Sequence, residues 1–253
     1  MQWIISDIHG CVFTLEALLN KITKTDSSPF FIFVGDYVDR GKNSKQAVEF
    51  LIGLKDAIFI LGNHDDIVCY LLNDFCRGDL KEMVMAEPSI DSVACWWIMN
   101  GFVPTLQSYG LSQSDPLGRF REVVPFEHKE FLSNCRLFWQ NDTHFVCHAY
   151  WRIDEQFPSG AIKQDMIMEM LWTRFPRNDQ NGGLYLKHEP VWDKIGVFGH
   201  TPLHYYGVSE PIKQSKLRLI DTGAFRGKSM AAYCCETDDF VTEQTDVRDI
   251  WNL

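Results

Sequence analysis

Five times along the chain a short apolar run ends at a histidine or a carboxylate. Trp3-Ile4-Ile5 leads into Ser6-Asp7-Ile8-His9-Gly10. Residues 30–34 lead into Gly35-Asp36-Tyr37-Val38-Asp39-Arg40-Gly41, and residues 57–61 into Gly62-Asn63-His64-Asp65. Two later runs end at His148 and at Gly199-His200. Continuous apolar runs of this length bounded by Gly or Pro predict buried strands. Between them, Leu15, Leu18, Leu19 and Ile22, and then Ala47, Val48, Leu51 and Ile52, recur at helical spacing. Strand, loop and helix in alternation predict an α/β fold. In such folds ligands sit at the carboxyl ends of strands. Asp7, Asp36 and Asn63 are therefore expected to converge, with residues 62–65 as the exit loop of the third strand.

Residues 66–135 read as mainly helical, with Ile67, Val68, Leu71, Leu72 and Phe75 on one apolar face and Trp96 and Trp97 in a second helical stretch. They are expected to form a cap over one side of the site within a single domain, 1–253. Strands return at residues 137–139 and 144–147, flanking a hairpin turn at Asn141-Asp142. Further strands are expected at 197–198, 218–220, 230–234 and 240–242, and residues 176–190 are expected to be a polar surface loop.

With 45% apolar residues in 253, the chain can bury a substantial core. A net charge of −10 argues against a stable nucleic-acid partner, which depends on cationic neutralisation of phosphates. It does not exclude a phosphate substrate, because bound cations dominate a local field. None of the eight cysteines forms a C-x-x-C pair, and Cys69, Cys95 and Cys147 lie inside apolar runs as small hydrophobes. No signal peptide is visible, and no run approaches the roughly 20 apolar residues that span a membrane. A reduced, cytoplasmic protein without a membrane partner is expected.

The clusters suit phosphoester hydrolysis. Oxygen and imidazole ligands fit divalent Mn, Fe and Zn. Two such cations about 3.5–4 Å apart can share a bridging hydroxide and bind the phosphoryl oxygens. Asp7 and His9 could hold one metal, Asn63, His148 and His200 the other, and Asp36 could bridge them. The neutral Asn limits the negative charge, so the centre still attracts a phosphate dianion. His64 is placed to be the general acid, with Asp39 as the carboxylate that orients its ring and Asp65 as the other candidate. Arg40 can donate two parallel hydrogen bonds to a phosphate, and Arg174 is a second candidate clamp. His188 and His204 receive no role.

These motifs resemble the phosphoprotein phosphatase family within the calcineurin-like metallophosphoesterases. The likeness spans residues 4 to about 235, with Gly35–Gly41 matched in full. Leu171-Trp172-Thr173-Arg174, residues 220–224 and residues 100–110 are similar to segments of the bacterial and phage branch. The resemblance implies a two-sheet β-sandwich flanked by helices, two divalent metals with manganese foremost, and the ligand roles given above. It also implies phosphate contact by Arg40, Asn63 and Arg174, and an Asp39–His64 acid pair. Ser6 stands for the family's first Gly and Asp65 for its Glu. Tyr150 stands where the family has Gly, so its ring is expected to lie beside the substrate. The implied activity is a serine/threonine protein phosphatase. The alternatives are a dinucleoside polyphosphate hydrolase, such as one acting on diadenosine tetraphosphate, or a broad small-molecule phosphatase.

Overall fold

Side-chain alternation along the strands decides how the chain layers. In the computed structural model, which describes residues 1–73 and 97–251, strand β1 (Gln2–Ile5) turns Trp3 and Ile5 toward helices and Ile4 toward a second sheet. β2 (Phe30–Phe33) does the same with Phe31 and Phe33 on one side and Ile32 on the other. One sheet therefore has two buried faces, as its near-continuous apolar strands require. Its order is β10–β9–β1–β2–β3, with β3 at Ala57–Phe59, β9 at Ser229–Cys234 and β10 at Asp239–Gln244.

The second sheet contains β4 (Phe138–Gln140), β5 (His144–Cys147), β6 (Ile195–Phe198), β7 (Ile212–Gln214) and β8 (Leu217–Leu219), in the order β4–β5–β6–β8–β7. Ile4, Ile32, Val34, Ile60, Ala231 and Tyr233 of the first sheet's side meet Val146, Val197 and Ile220 of the second in one buried cluster. The sandwich expected from the resemblance is thus formed by these residues. A larger cluster joins the outer face of the first sheet to α1 (Val12–Thr23), α2 (Ser44–Ile52) and α3 (Asn63–Asn73). The same cluster takes in α4 (Val103–Ser108), α5 (Leu117–Val123) and α6 (Phe126–Asn134) through Leu106, Phe120 and Leu132. α7 (Gln164–Trp172) leans on the second sheet with Met170.

Parallel pairing fixes where the site lies. β1, β2 and β3 are parallel in register, Ile5 beside Phe33 beside Phe59. β5, β6 and β8 are likewise parallel, Cys147 beside Phe198 beside Leu219. Six strands therefore end on the same side of the two sheets, and the chain leaves them through Asp7, Asp36, Asn63, His148, His200 and Asp221.

Three expectations are corrected. Residues 62–65 are not an exit loop, because Asn63 opens α3. Asp65 and Asp66 in the first turn suit the positive end of the helix, and the Asp65 carboxylate accepts the Gly62 amide at 3.0 Å. Ile52, the last residue of α2 before Gly53, is 40% exposed, whereas Ala47, Val48 and Leu51 are buried. The edge strand β7 carries a half-polar sequence without alternating signal and was not expected. Phe75 and Trp96 lie outside the described residues.

Candidate metal centre and substrate cleft

Backbone strain marks the site before any side chain does. Among the described residues, seven non-glycine residues have positive φ, and five of them are His9, Asp36, Asp39, Arg40 and His200. Left-handed backbone is uncommon outside glycine, though His and Asp adopt it more readily than most, and it persists where surroundings over-determine it. Two glycines show how tightly those surroundings close. A Cβ at Gly62 would overlap the Asp36 carboxylate, and one at Gly199 would overlap that of Asp7. The glycines before Asn63 and His200 thus let backbone pass against the carboxylates.

Carbonyl groups fix the imidazole tautomers. His9 donates from Nδ1 to the Val38 carbonyl at 2.8 Å, and His148 donates from Nδ1 to the Val34 carbonyl at 2.9 Å. His200 donates from Nε2 to the Trp172 carbonyl at 3.1 Å. Each remaining ring nitrogen therefore presents a lone pair. Those of His148 and His200 face other acceptors, and that of His9 faces both a carboxylate and the Arg40 guanidinium. His148 Nε2 lies 2.9 Å from Asn63 Oδ1 and 3.5 Å from Asp36 Oδ1. His200 Nδ1 lies 2.9 Å from the same Asn63 oxygen and 3.2 Å from His148 Nε2. His9 Nε2 lies 3.3 Å from Asp36 Oδ2.

Donor atoms of Asp36, His148 and His200 all lie within 4.8 Å of one another, as do those of His9, Asp36 and His64, so Asp36 belongs to both groups. Asp7 falls outside both. Its two carboxylate oxygens accept the His200 amide at 3.1 and 2.9 Å.

Burial keeps the imidazoles neutral and makes the carboxylates costly as anions. Burial pushes His9 and His200 well below the ordinary imidazole range and His148 down to about 3. Burial raises Asp36 to about 7 against the pull of Arg40. Asp7 is raised by burial and then by the charges of Asp221 and Asp36. Lone pairs and carboxylates that converge with too few donors are destabilising on their own. They fit divalent cations, which reverse the sign of every one of these interactions. Cations held here would activate water and neutralise phosphoryl oxygens.

Beside this centre, His64 and Asp39 are both fully buried and joined by a 2.8 Å hydrogen bond from Nδ1 to Oδ2. The other candidate partner, Asp65, is turned away and accepts the amides of Tyr37 and Gly62. Asp39 receives two further donors, Trp97 Nε1 at 2.8 Å and Thr105 Oγ1 at 2.6 Å. Its own amide donates to Thr105 Oγ1 and Ser44 Oγ at 2.9 and 3.1 Å. Burial raises Asp39 and lowers His64, so neither carries an isolated charge readily. His64 Nε2 is buried without a protein partner.

Sequence reasoning assigned no role to Trp97, Thr105 or Asp221. Thr105 sits in the 100–110 segment and Asp221 in the 220–224 segment, both singled out above, and Asp221 also ends a strand as the ligand candidates do. Its Oδ2 is buried without a protein partner, and burial raises its carboxyl to about 6.

A cleft of 380 Å³ opens beside the centre, with Arg40, Arg174, His204, Tyr205, Phe225 and Arg226 among its lining. Arg40 links the two, since Nη1 reaches His9 Nε2 at 3.1 Å and its backbone is held by the Gly101 carbonyl at 2.8 Å. Tyr150 does not line this cleft. Its ring packs edge-on against Phe175 with centroids 4.8 Å apart, within the cluster on the outer face of the second sheet. The turn after His148 carries residue 150 back onto its own sheet. Tyr150→Gly should lower unfolding stability by about 1–4 kcal/mol, a cavity effect, without changing the ratio of turnover between any two phosphoesters. Thermal melting and a two-substrate assay check both halves, and a selective change in that ratio would restore the ring to the substrate site.

The match to known proteins agrees with this geometry. Residues 2–218 fit the family model for calcineurin-like phosphoesterases, so the chain belongs to that family of metallophosphoesterases. The symmetrical bis(5'-nucleosyl)-tetraphosphatase of Buchnera aphidicola is 42% identical over 64 residues, which cover 25% of this chain and 23% of that protein. The chain therefore matches under a quarter of the length of that relative. Serine/threonine-protein phosphatase 1 of Salmonella typhimurium is 24% identical over 230 residues, covering 89% of this chain and 87% of the relative. Among solved structures, a protein assigned as a diadenosine tetraphosphatase superposes with a TM-score of 0.60 at 20% identity, covering 99% of this chain and 94% of that one. No helix among the described residues is long and apolar enough to cross a membrane.

Proposed function

We propose that this metallophosphoesterase is a phosphomonoesterase that removes phosphate from phosphoserine or phosphothreonine in proteins. Two divalent cations would serve it, manganese before iron or zinc. Asp7 and His9 would hold one, Asn63, His148 and His200 the other, and Asp36 both. Arg40, Arg174 and Asn63 would hold the phosphate. Free thiols at Cys11, Cys69, Cys135, Cys147, Cys234 and Cys235 suit a reduced, cytoplasmic setting.

The buried Asp39–His64 pair carries this reading. A seryl or threonyl alkoxide is a poor leaving group and needs a proton as the P–O bond breaks. A nucleotide leaving from a phosphoanhydride needs little protonation. An imidazole held at 2.8 Å by a carboxylate with two more donors of its own is an expensive device. It contributes most where an alkoxide departs.

Dinucleoside polyphosphate hydrolysis is the second reading. The Buchnera match and the several arginines of the cleft favour it. A panel run on manganese-loaded protein separates the two. Phosphothreonine peptides should be turned over with a kcat/KM at least about tenfold above that for diadenosine tetraphosphate, a difference of about 1.4 kcal/mol. The reverse order would reject the leading reading.

A further inference from the structure

The cleft carries more positive charge than one phosphate requires. Arg40, Arg174 and Arg226 all line it, and no carboxylate does among the described residues, although the chain as a whole has a net charge of −10. Arg40 lies nearest the metal-ligand candidates, against His9. Arg226 packs over the same Phe225 ring as Arg40: their guanidinium carbons lie 5.1 and 4.9 Å from its centroid. Arg174 is held likewise over Tyr205, at 5.2 Å. Stacking of this kind spends the ring's electrons on positioning the guanidinium and leaves its N–H fork free for an anion.

Arg226 is exposed and makes no ion pair among the described residues, and His204 beside it feels Arg226, Lys228 and Arg174 as like charges. Its backbone is placed by the short 3₁₀ turn Ala224–Arg226, between left-handed Gly223 and Gly227.

We propose that Arg226 is a specificity-determining residue that binds a second anionic group of the substrate, adjacent to the scissile phosphate. The substrate class is a phosphopeptide with an acidic or phosphorylated neighbour. This rests on the protein phosphatase reading above and narrows it. Arg40 reaches His9 among the ligand candidates, whereas Arg226 is exposed at the cleft, so one cation meets the reacting phosphate and the other meets the flanking charge. The aromatic faces that could stack on a base are instead turned to the arginines, which favours an acidic peptide over a nucleotide.

The test compares three substrates on manganese-loaded parent protein, Arg226→Ala and Arg226→Lys. They are a phosphothreonine peptide flanked by glutamates, the same peptide flanked by glutamines, and p-nitrophenyl phosphate. In the parent the glutamate peptide should have a kcat/KM roughly tenfold above its glutamine counterpart, expressed in KM and shrinking as salt rises. Arg226→Ala should bring that ratio to near one, and Arg226→Lys should restore part of it. Turnover of p-nitrophenyl phosphate, which has no second anion, should hold in both variants.

Equal turnover of the two peptides by the parent, or an unchanged ratio in Arg226→Ala, would overturn the assignment and leave the protein phosphatase reading standing. An equal loss on p-nitrophenyl phosphate would overturn it too, by placing Arg226 at the reacting phosphate. Turnover of p-nitrophenyl phosphate with neither peptide hydrolysed would reject the protein phosphatase reading itself, and this assignment with it.

Discussion

Removal of divalent metal should lower phosphoester hydrolysis by at least about 10³-fold, and manganese should restore it. Lewis-acid stabilisation of phosphoryl transfer is worth several kcal/mol, and each 1.36 kcal/mol is a factor of ten in rate. Five buried groups, His9, Asp36, Asn63, His148 and His200, converge with too few protons among them. Asn63 Oδ1 is met by His148 Nε2 and His200 Nδ1 at 2.9 Å each, and Asp36 by the same His148 nitrogen at 3.5 Å and by His9 Nε2 at 3.3 Å. On the carbonyl-fixed tautomers, Asn63 Oδ1 and the two imidazole lone pairs that face it have no proton to share. Full activity in protein verified as metal-free by elemental analysis would sink this account.

Among ligand changes, Asp36→Asn should hurt most, because Asp36 stands in both groups of ligand candidates. Metal content should fall along with rate. Stability of the metal-free protein should not fall, since an uncompensated buried carboxylate is replaced by a neutral group that still accepts the His64 amide. Melting of the metal-free variant well below the metal-free parent would show that Asp36 serves the fold, not a cation. Retention of both metals at near-normal rate would remove Asp36 from the bridging position.

The layout of the centre was legible because its residues obey a local rule. Asp7, Asp36, Asn63, His148 and His200 each follow an apolar run, and parallel strands bring such ends together by register alone. Asp221 follows the same rule after β8, but an Asp-Thr-Gly sequence reads equally as a turn. Trp97 and Thr105 were not legible. They reach Asp39 across 58 and 66 residues of sequence, from a helical region whose apolar pattern reports burial and not direction. The choice between Asp39 and Asp65 was also settled by tertiary structure. Both are adjacent to the right motifs, and only the start of α3 at Asn63 turns Asp65 onto the Gly62 and Tyr37 amides. Tyr150 shows the converse case. Its place next to His148 in sequence suggested contact with substrate, but a turn of two residues carried its ring to Phe175. Neighbours of a ligand share its location only while the backbone keeps its heading.

His64→Asn should lower kcat by about 10²–10⁴-fold on alkyl phosphates while metal content stays at the parent value. The imidazole donates from Nδ1 to Asp39, so Nε2 is the atom that can deliver a proton to the departing oxygen. That atom is buried and has no protein partner. In the absence of cations, burial and the Arg40 charge both push His64 down, so the proton must come with a compensating anion. Asp39 supplies one charge, held in place by Trp97 and Thr105, and a bound phosphate dianion supplies more. Loss of the ring should therefore matter in proportion to the basicity of the leaving group. Serine and threonine phosphates should suffer the full effect. Aryl phosphates, whose phenolates leave with little help, should suffer at least tenfold less. Asp39→Asn should reproduce that pattern in weaker form, because it leaves the ring in place but removes the charge that favours its protonated state. An equal loss on aryl and alkyl phosphates in His64→Asn would refute the proton-donor role. Loss of metal from the same variant would make His64 a ligand, as its place within 4.8 Å of the His9 and Asp36 donor atoms allows. Both readouts come from one preparation, so the two roles cannot be confused.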